Sequence, residues 1–243
     1  MKKRQLKASL LLITVTMASM VALRGLIFLF LLHLPVQVDV DTTILAKMIQ
    51  YFDDNVQPKP GAQYAIAIRL SKEQCRDETF SIETVFSRAD VEKVNKTLTD
   101  GQTCELCTDS KNVIAANPQY KNPKNHSEYR LLYPVGSSPM DKLLKNVDKN
   151  SCVVFYTYNS PCVTKCINGE KNILEGLSNW KNKQQGGVNF FVFQNIWKKD
   201  KGKKNLSKEF QKIEEKVPLY RCFGEQINCL KYGDNNNNQI LSD

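Results

Sequence analysis

The residues of this chain best suited to chemistry are one histidine, one glutamate and two cysteines. Cys162 and Cys166 stand four apart in "SPCVTKC", directly after Pro161. At a helix N-terminus that spacing puts both side chains on one face, where two sulfurs can reach a single ion. The same two residues also read as halves of two disulfides, since the chain holds eight cysteines. A third ligand bears on the choice. The chain has two histidines, and His33 falls in the apolar N-terminal stretch, so His126 is the one imidazole beyond it. His126, Cys162 and Cys166 supply one nitrogen and two thiolates, three protein ligands of a tetrahedral Zn²⁺ with the fourth position left for water. Glu128 follows His126 by two residues as a nearby carboxylate outside the ligand set. An open zinc position beside such a carboxylate is what is needed to lower a water's pKa and carry its proton. A purely structural zinc in a binding module has no need of that carboxylate, so Glu128 favours an enzyme.

For these residues to meet, the intervening elements must return residue 126 to the neighbourhood of residue 162. The stretch "TTILAKMIQYFDD" places Ile44, Leu45, Met48, Ile49 and Phe52 on one helical face, opened by Thr42 or Thr43 as a cap. Alternation of Ile66, Ile68 and Leu70 predicts a strand. Residues 82–98 show helical or mixed spacing and read as an insertion, followed by the loop "DGQTCELCTDS". "NVIAA" at 112–116 is a short buried strand, and a polar, proline-punctuated loop leads from it to His126. A helix starts at "HSEYRLLYPV", and helical spacing resumes through Met140, Leu143, Leu144 and Val147. Residues 152–158 are apolar or aromatic but for Thr157, which predicts a strand buried on both faces. Pro161 ends that strand and suits a helix's first turn, so Cys162 to Cys166 open a helix that "NILEGLSNW" continues. "VNFFVFQNIW" reads as another buried strand, and "LSKEFQKIEEKV" as an amphipathic helix with Leu206, Phe210, Ile213 and Val217 inward. Strands alternating with helices indicate an α/β layer architecture.

The formal charge of +9 suggests a nucleic-acid or membrane partner until it is located. Five of the 34 basic residues lie in the first 38, which hold no acid, leaving 29 basic against 25 acidic residues, or +4, for residues 39–243. Lys2 to Lys7 followed by the dense apolar run Leu26 to Leu34 reads as a signal peptide over 1–38, with a retained signal anchor as the alternative. A local excess remains in "WKKDKGKKNLSK", where six lysines surround Asp200: either a solvated basic loop or a surface that attracts phosphate. Eight cysteines behind a secretory leader imply an oxidising compartment, with Cys222 and Cys229 as the plausible local bridge and the pairing of Cys75, Cys104, Cys107 and Cys152 left open. Asn95, Asn125 and Asn205 head N-glycosylation triplets, in keeping with a secreted, extracellular protein.

"HSE" and "YNSPCVTKC" resemble the zinc-deaminase signature. "FYTYNSPC" resembles the strand-to-helix junction of the AID/APOBEC polynucleotide cytidine deaminases. With its leader, the chain is most similar to the secreted AID/APOBEC-like deaminases of vertebrates, fish especially. The resemblance covers residues 126–166 by motif and 42–217 by element order. It implies a cytidine deaminase-like three-layer α/β/α sandwich with a central mixed sheet, over a deaminase-like domain at 39–220 and a C-terminal tail at 221–243. By the same resemblance His126, Cys162 and Cys166 bind Zn²⁺ and Glu128 shuttles the proton. The reaction is then hydrolytic deamination of cytosine to uracil on single-stranded DNA or RNA, in a secreted protein with a role in immune defence and no stable membrane association once the leader is gone. Cytidine or a free nucleotide is the alternative substrate, and an inactive zinc-stabilised module the alternative function.

The resemblance assigns substrate contacts to Tyr156, Tyr158, Asn159 and Ser160. Asn159 stands where the family usually carries an aromatic, so Tyr156 or Tyr158 must supply any stacking surface. The cysteines are separated by three residues rather than the commoner two, and the interval from Glu128 to Pro161 is somewhat long for that family. A glycan on Asn125, next to His126, would obstruct the site.

The end of the apolar run at Leu34 and the first acid at Asp39 set the expected start of the mature chain, between about residues 35 and 42. N-terminal sequencing of secreted protein checks this. A cell-retained chain still carrying residues 1–34 favours the anchor instead.

Overall fold

Unbroken apolar runs and β-branched residues build a central sheet whose two faces are both covered. The computed structural model describes residues 42–145, 148, 151–234 and 237–242, so the expected leader lies outside the described residues. Its strands are β1 (Ala65–Leu70), β2 (Thr103–Glu105), β3 (Val113–Ala116), β4 (Cys152–Asn159), β5 (Val188–Asn195), β6 (Leu219–Phe223) and β7 (Asn228–Lys231). They lie in the order β2-β3-β1-β4-β5-β6-β7. β4, β5 and β6 run parallel, while β1, β2, β3 and β7 pair antiparallel with their neighbours, so the sheet is mixed.

Alternation along the strands splits the core in two. Ile66, Ile68, Val154, Tyr156 and Val192 face one layer, where α1 (Thr42–Asn55) contributes Ile44, Leu45, Met48, Ile49 and Phe52 as expected. α2 (Arg88–Thr99) packs there too, through Val91, Val94 and Leu98. Ala65, Ala67, Val153, Phe155, Phe191 and Phe193 face the opposite layer. That layer holds α3 (Ser127–Leu132), α4 (Pro139–Leu143), α5 (Leu174–Lys183), α6 (Leu206–Glu214) and α7 (Asn237–Leu241). The result is an α/β fold with helices on both faces. Phe155 stacks on Phe191 with ring centroids 5.0 Å apart and meets Trp180 at 6.0 Å, an aromatic seam joining β4, β5 and α5. Each such ring removes roughly 150–250 Å² from water. Among the described residues no helix is long and apolar enough to cross a membrane.

Several expectations are corrected. Residues 82–98, read as an insertion of helical or mixed spacing, hold most of α2, started by Ser87, whose side chain accepts from the Asp90 amide. α4 stops at Leu143 although helical spacing extends to Val147, a residue outside the described set. Residues 221–243 are no tail. β6 crosses that boundary, turns at Gly224 with φ +96°, and returns as β7, with Cys222 opposite Cys229 and bonded to it. The apolar runs of this hairpin are too short and too mixed to announce strands; the ladder and the cross-link supply what they lack. α7 then adds the buried Ile240 to the core.

The two disulfides left open in sequence are Cys104–Cys107 and Cys75–Cys152. The second closes a separation of 77 residues and ties the chain just past β1 to the first residue of β4, the strand that leads to the candidate site. Cross-links over loops of that size stabilise by about 2–5 kcal/mol, in good part by restricting the unfolded chain. Replacing Cys75 and Cys152 together by alanine should therefore lower the unfolding free energy by that order in urea titrations. An unchanged midpoint would show that the β1–β4 pairing holds without it.

Candidate functional site

Parallel strands leave a crevice beyond their carboxyl ends, and the candidate site occupies it. β4 ends at Asn159 and β5 at Asn195, and the two ends are joined by Ser160, whose amide donates to the Asn195 carbonyl at 2.7 Å and whose hydroxyl accepts from the Trp197 amide at 2.9 Å. Pro161 then turns the chain into a single π-helical turn, Val163–Ile167, with Cys162 as its cap. The predicted helix start is thus one wide turn, broken before α5 resumes. Its first amide, that of Val163, donates to the buried Asp200 carboxylate at 2.9 Å, which fastens the turn to the loop after β5.

From the other side comes α3. Paired backbone bonds between Gln119 and Asn125 close the loop in front of it. Arg130 anchors the helix by donating to the Asn117 carbonyl and the Thr103 hydroxyl, at 2.5 and 2.6 Å. α5 presses on it so closely that a Cβ at Gly176 would lie 2.8 Å from that of Leu132. His126 occupies the cap position of α3 but makes no capping bond with its side chain, so the ring is free to turn toward the cysteines.

There the three expected ligands converge. His126 Nδ1 lies 3.1 Å from Cys166 Sγ and 3.7 Å from Cys162 Sγ, and the two sulfurs are 3.6 Å apart. That separation excludes a disulfide between them, and both cysteines are free while six others are bonded. A tetrahedral zinc with ordinary bond lengths needs about 3.8 Å between sulfurs and about 3.6 Å between nitrogen and sulfur. The donor set therefore fits a zinc ion in type, number and spacing; among the described residues it is the group of three or more ligating side chains close enough to hold one. Contact with Cys166, and then with His126, holds the Cys162 thiol well below its ordinary pKa. The same contact, together with burial, pushes Cys166 up.

Glu128 sits on the floor of the same site with 2% of its surface exposed, and burial raises its pKa above the usual carboxylate value. Its oxygens accept from Ser127 Oγ at 3.1 Å, Thr157 Oγ1 at 3.0 Å and Gln63 Nε2 at 3.4 Å. Gln63 does more. It donates to Thr157 Oγ1 at 2.8 Å, and its Oε1 accepts both the backbone and side-chain N–H of Asn159 at 2.8 Å. Sequence reading missed Gln63 and Thr157. Neither carried a signal, because the face of β4 that looks on the site is set only when the strand is seated in the sheet, and Gln63 lies outside any strand.

A cleft of about 420 Å³ opens above this floor, lined by Gln63, Glu128, Asn159, Ser160, Cys162 and Trp197 among others. Asn159 and Ser160 thus line the cleft. Tyr156 and Tyr158 are not. Even-numbered residues of β4 point to the other face, so Tyr156 is fully buried, donating to Asp53 Oδ1 at 2.8 Å, and Tyr158 packs against the α1 side. The aromatic residues of the cleft are instead Trp197 and Tyr120, the latter 76% exposed. Of the lysine-rich segment 197–208, Trp197 lines the cleft, whereas Lys203 is spent on Asp200.

Asn125 faces a different groove, beside Tyr129, Arg130 and Tyr133, and its side-chain oxygen accepts from Lys171 at 2.6 Å. The cleft wall does not include it, so the expected obstruction by a glycan at this position does not follow from the side chain's placement. Of the other two triplets, Asn95 uses its amide on the Val56 and Gln57 carbonyls, and Asn205 uses its own on Glu209.

A family model described as Secreted Novel AID/APOBEC-like Deaminase 1 matches residues 42–243. No curated protein matches the chain.

The spacing of the three donors leads to an expected stoichiometry of one zinc per chain. Metal analysis of His126→Ala should show near-complete loss, with a fall in thermal stability on adding a chelator to the parent protein but not to the variant. Recovery of Cys162 or Cys166 in a disulfide would rule the site out.

Proposed function

This chain belongs to the secreted AID/APOBEC-like deaminases, and from that premise we propose that it is a secreted, zinc-dependent hydrolase converting cytosine to uracil in single-stranded nucleic acid. The observation that carries the reading is the buried Glu128 carboxylate beside the His126, Cys162 and Cys166 donors, on the floor of an open cleft. Zinc held by those three residues would supply a Lewis acid that brings the pKa of a water near neutrality. The remaining work falls to the chain itself.

Hydrolysis adds water at C4 of the base and releases ammonia, so both protons of the water must leave its oxygen, one for ring N3 and one for the departing amine. Glu128 can carry both in turn, as base and then as acid, because burial raises its pKa and so makes it a better acceptor and an available donor. Thr157, Ser127 and Gln63 keep its two oxygens in place by donating to them. Asn159, whose backbone and side chain both bind Gln63, ties that network to the cleft wall a base would touch. Trp197 and Tyr120 offer aromatic faces for stacking, which suits unpaired bases. A cleft open at the surface also suits a strand passing across it better than an enclosed cavity would.

The substitution Glu128→Gln separates this enzyme from a zinc-stabilised binding module. It preserves shape and the metal donors but removes the proton acceptor, so zinc content and melting temperature should stay near those of the parent. Deamination of single-stranded DNA, RNA or cytidine should fall by on the order of a hundred- to ten-thousand-fold, toward the upper end because the group acts twice. Parent protein that carries zinc yet converts none of the three substrates would leave the metal a structural role.

A further inference from the structure

The lysines that the structure brings to the cleft are not those of the basic run. Lys124 and Lys165 line it, one from the loop before α3 and one from the π-helical turn. Both also line a second, smaller cavity of about 220 Å³ that shares His126 with the cleft and is completed by Gly169, Glu170 and Lys171. The charged groups facing this cavity are thus three lysines and one glutamate, with the His126 ring at the boundary. Lys171 is engaged, donating to Asn125 Oδ1 at 2.6 Å and lying 5.9 Å over the Tyr129 ring. No ion pair or hydrogen bond is found for the side chains of Lys124 and Lys165 among the described residues, and both are exposed.

Two unpartnered cations shared by a base-sized cleft and a smaller cavity beside it are an arrangement for an anion covalently joined to a base. We infer that Lys124 and Lys165 form a phosphate subsite: the cytosine enters the cleft over Glu128 while a phosphate of the same substrate sits between the two ammonium groups, in the smaller cavity. Gly169 completes the wall, packed so closely on the π-helical turn that a Cβ there would lie 2.8 Å from the Lys165 carbonyl oxygen, and the net positive charge of the cavity attracts phosphate with no preference for sequence. This rests on the deaminase reading and makes it more specific. It demands a phosphorylated substrate, either a nucleic-acid strand or a nucleotide, and predicts that bare cytidine loses nothing when the lysines are removed. It also moves the contact away from the run at 197–208, whose Lys204 and Lys208 line neither cavity.

The test combines binding and turnover. In a Glu128→Gln background, where bound strand is not consumed, a fluorescent single-stranded oligonucleotide with one cytosine is titrated at several salt concentrations. Lys124→Ala with Lys165→Ala should weaken binding on the order of tenfold. It should also flatten the slope of log K against log salt by about 0.7, the value for one phosphate contact on a single strand. Lys204→Ala with Lys208→Ala serves as the comparison and should change neither. Arginine at 124 and 165 should restore binding, which a folding defect would not allow. With Glu128 intact, the same alanine pair is assayed on cytidine and on CMP. A loss on CMP but not cytidine assigns the cavity to a nucleotide's own phosphate, and a loss on the strand alone assigns it to the backbone. Unchanged binding and unchanged CMP turnover would overturn the inference, as would an equal loss in the Lys204 and Lys208 pair. A parent protein inactive on every substrate would count against the deaminase reading, while the oligonucleotide titration would still decide the subsite.

Discussion

A carboxylate with 2% of its surface exposed is tolerable only where donors meet it, and Glu128 is met from three directions. Ser127 precedes it on α3, Thr157 reaches it from β4, and Gln63 comes from the residue before Tyr64 and β1. Those bonds fix α3 against the centre of the sheet. Once α3 is fixed there, the ring of His126 at its cap can only face the turn that follows β4, where the two thiols stand. Loss of this junction would leave a buried charge and scatter the metal donors together. The supports behind it are costly to alter for the same reason: Arg130 bridges α3 to Asn117 and Thr103, and Gly176 allows α5 to close on Leu132.

The cysteines divide by position into two chemistries. Six are paired where strands or neighbouring loop residues hold them within bonding distance, and two are kept at 3.6 Å with an imidazole beside both. Cys162 caps the π-helical turn and Cys166 lies inside it, so one turn of chain carries both thiols to one point. Asp200 holds the turn's first amide, so the loop that carries Trp197 to the cleft and the turn that carries the thiolates are one mechanical unit.

The charge pattern follows the same economy. Glu128 and Asp200 are buried and already bonded, while Lys124 and Lys165 stand exposed at the rim, where Glu170 is the one acidic group lining the smaller cavity. An approaching polyanion therefore meets cations first and finds the carboxylate on the floor beneath them. This is a local field, and the formal +9 of the whole chain, much of it in the first 38 residues, says little about it.

What the sequence determined by itself was the candidate donor set. A single imidazole beyond residue 38, a cysteine pair at helical spacing after a proline and a carboxylate two residues from the histidine limited the candidate metal donors to one group. The apolar run of β4 and the α1 pattern marked the layers, because burial on both faces or on one stripe leaves a period that can be read. The hairpin at 219–231, the Gln63 contacts and the Cys75–Cys152 link left no such trace, since each joins residues distant in the chain or too few to show a period. The two tyrosines were misassigned for a related reason. A strand presents alternate residues to opposite faces, and which face looks on the metal site is decided only when β4 is seated between β1 and β5, with α3 on one side and α1 on the other. That seating sends Thr157 and Asn159 to the cleft and Tyr156 to the far core, a difference of one residue that local sequence has no physical means to encode.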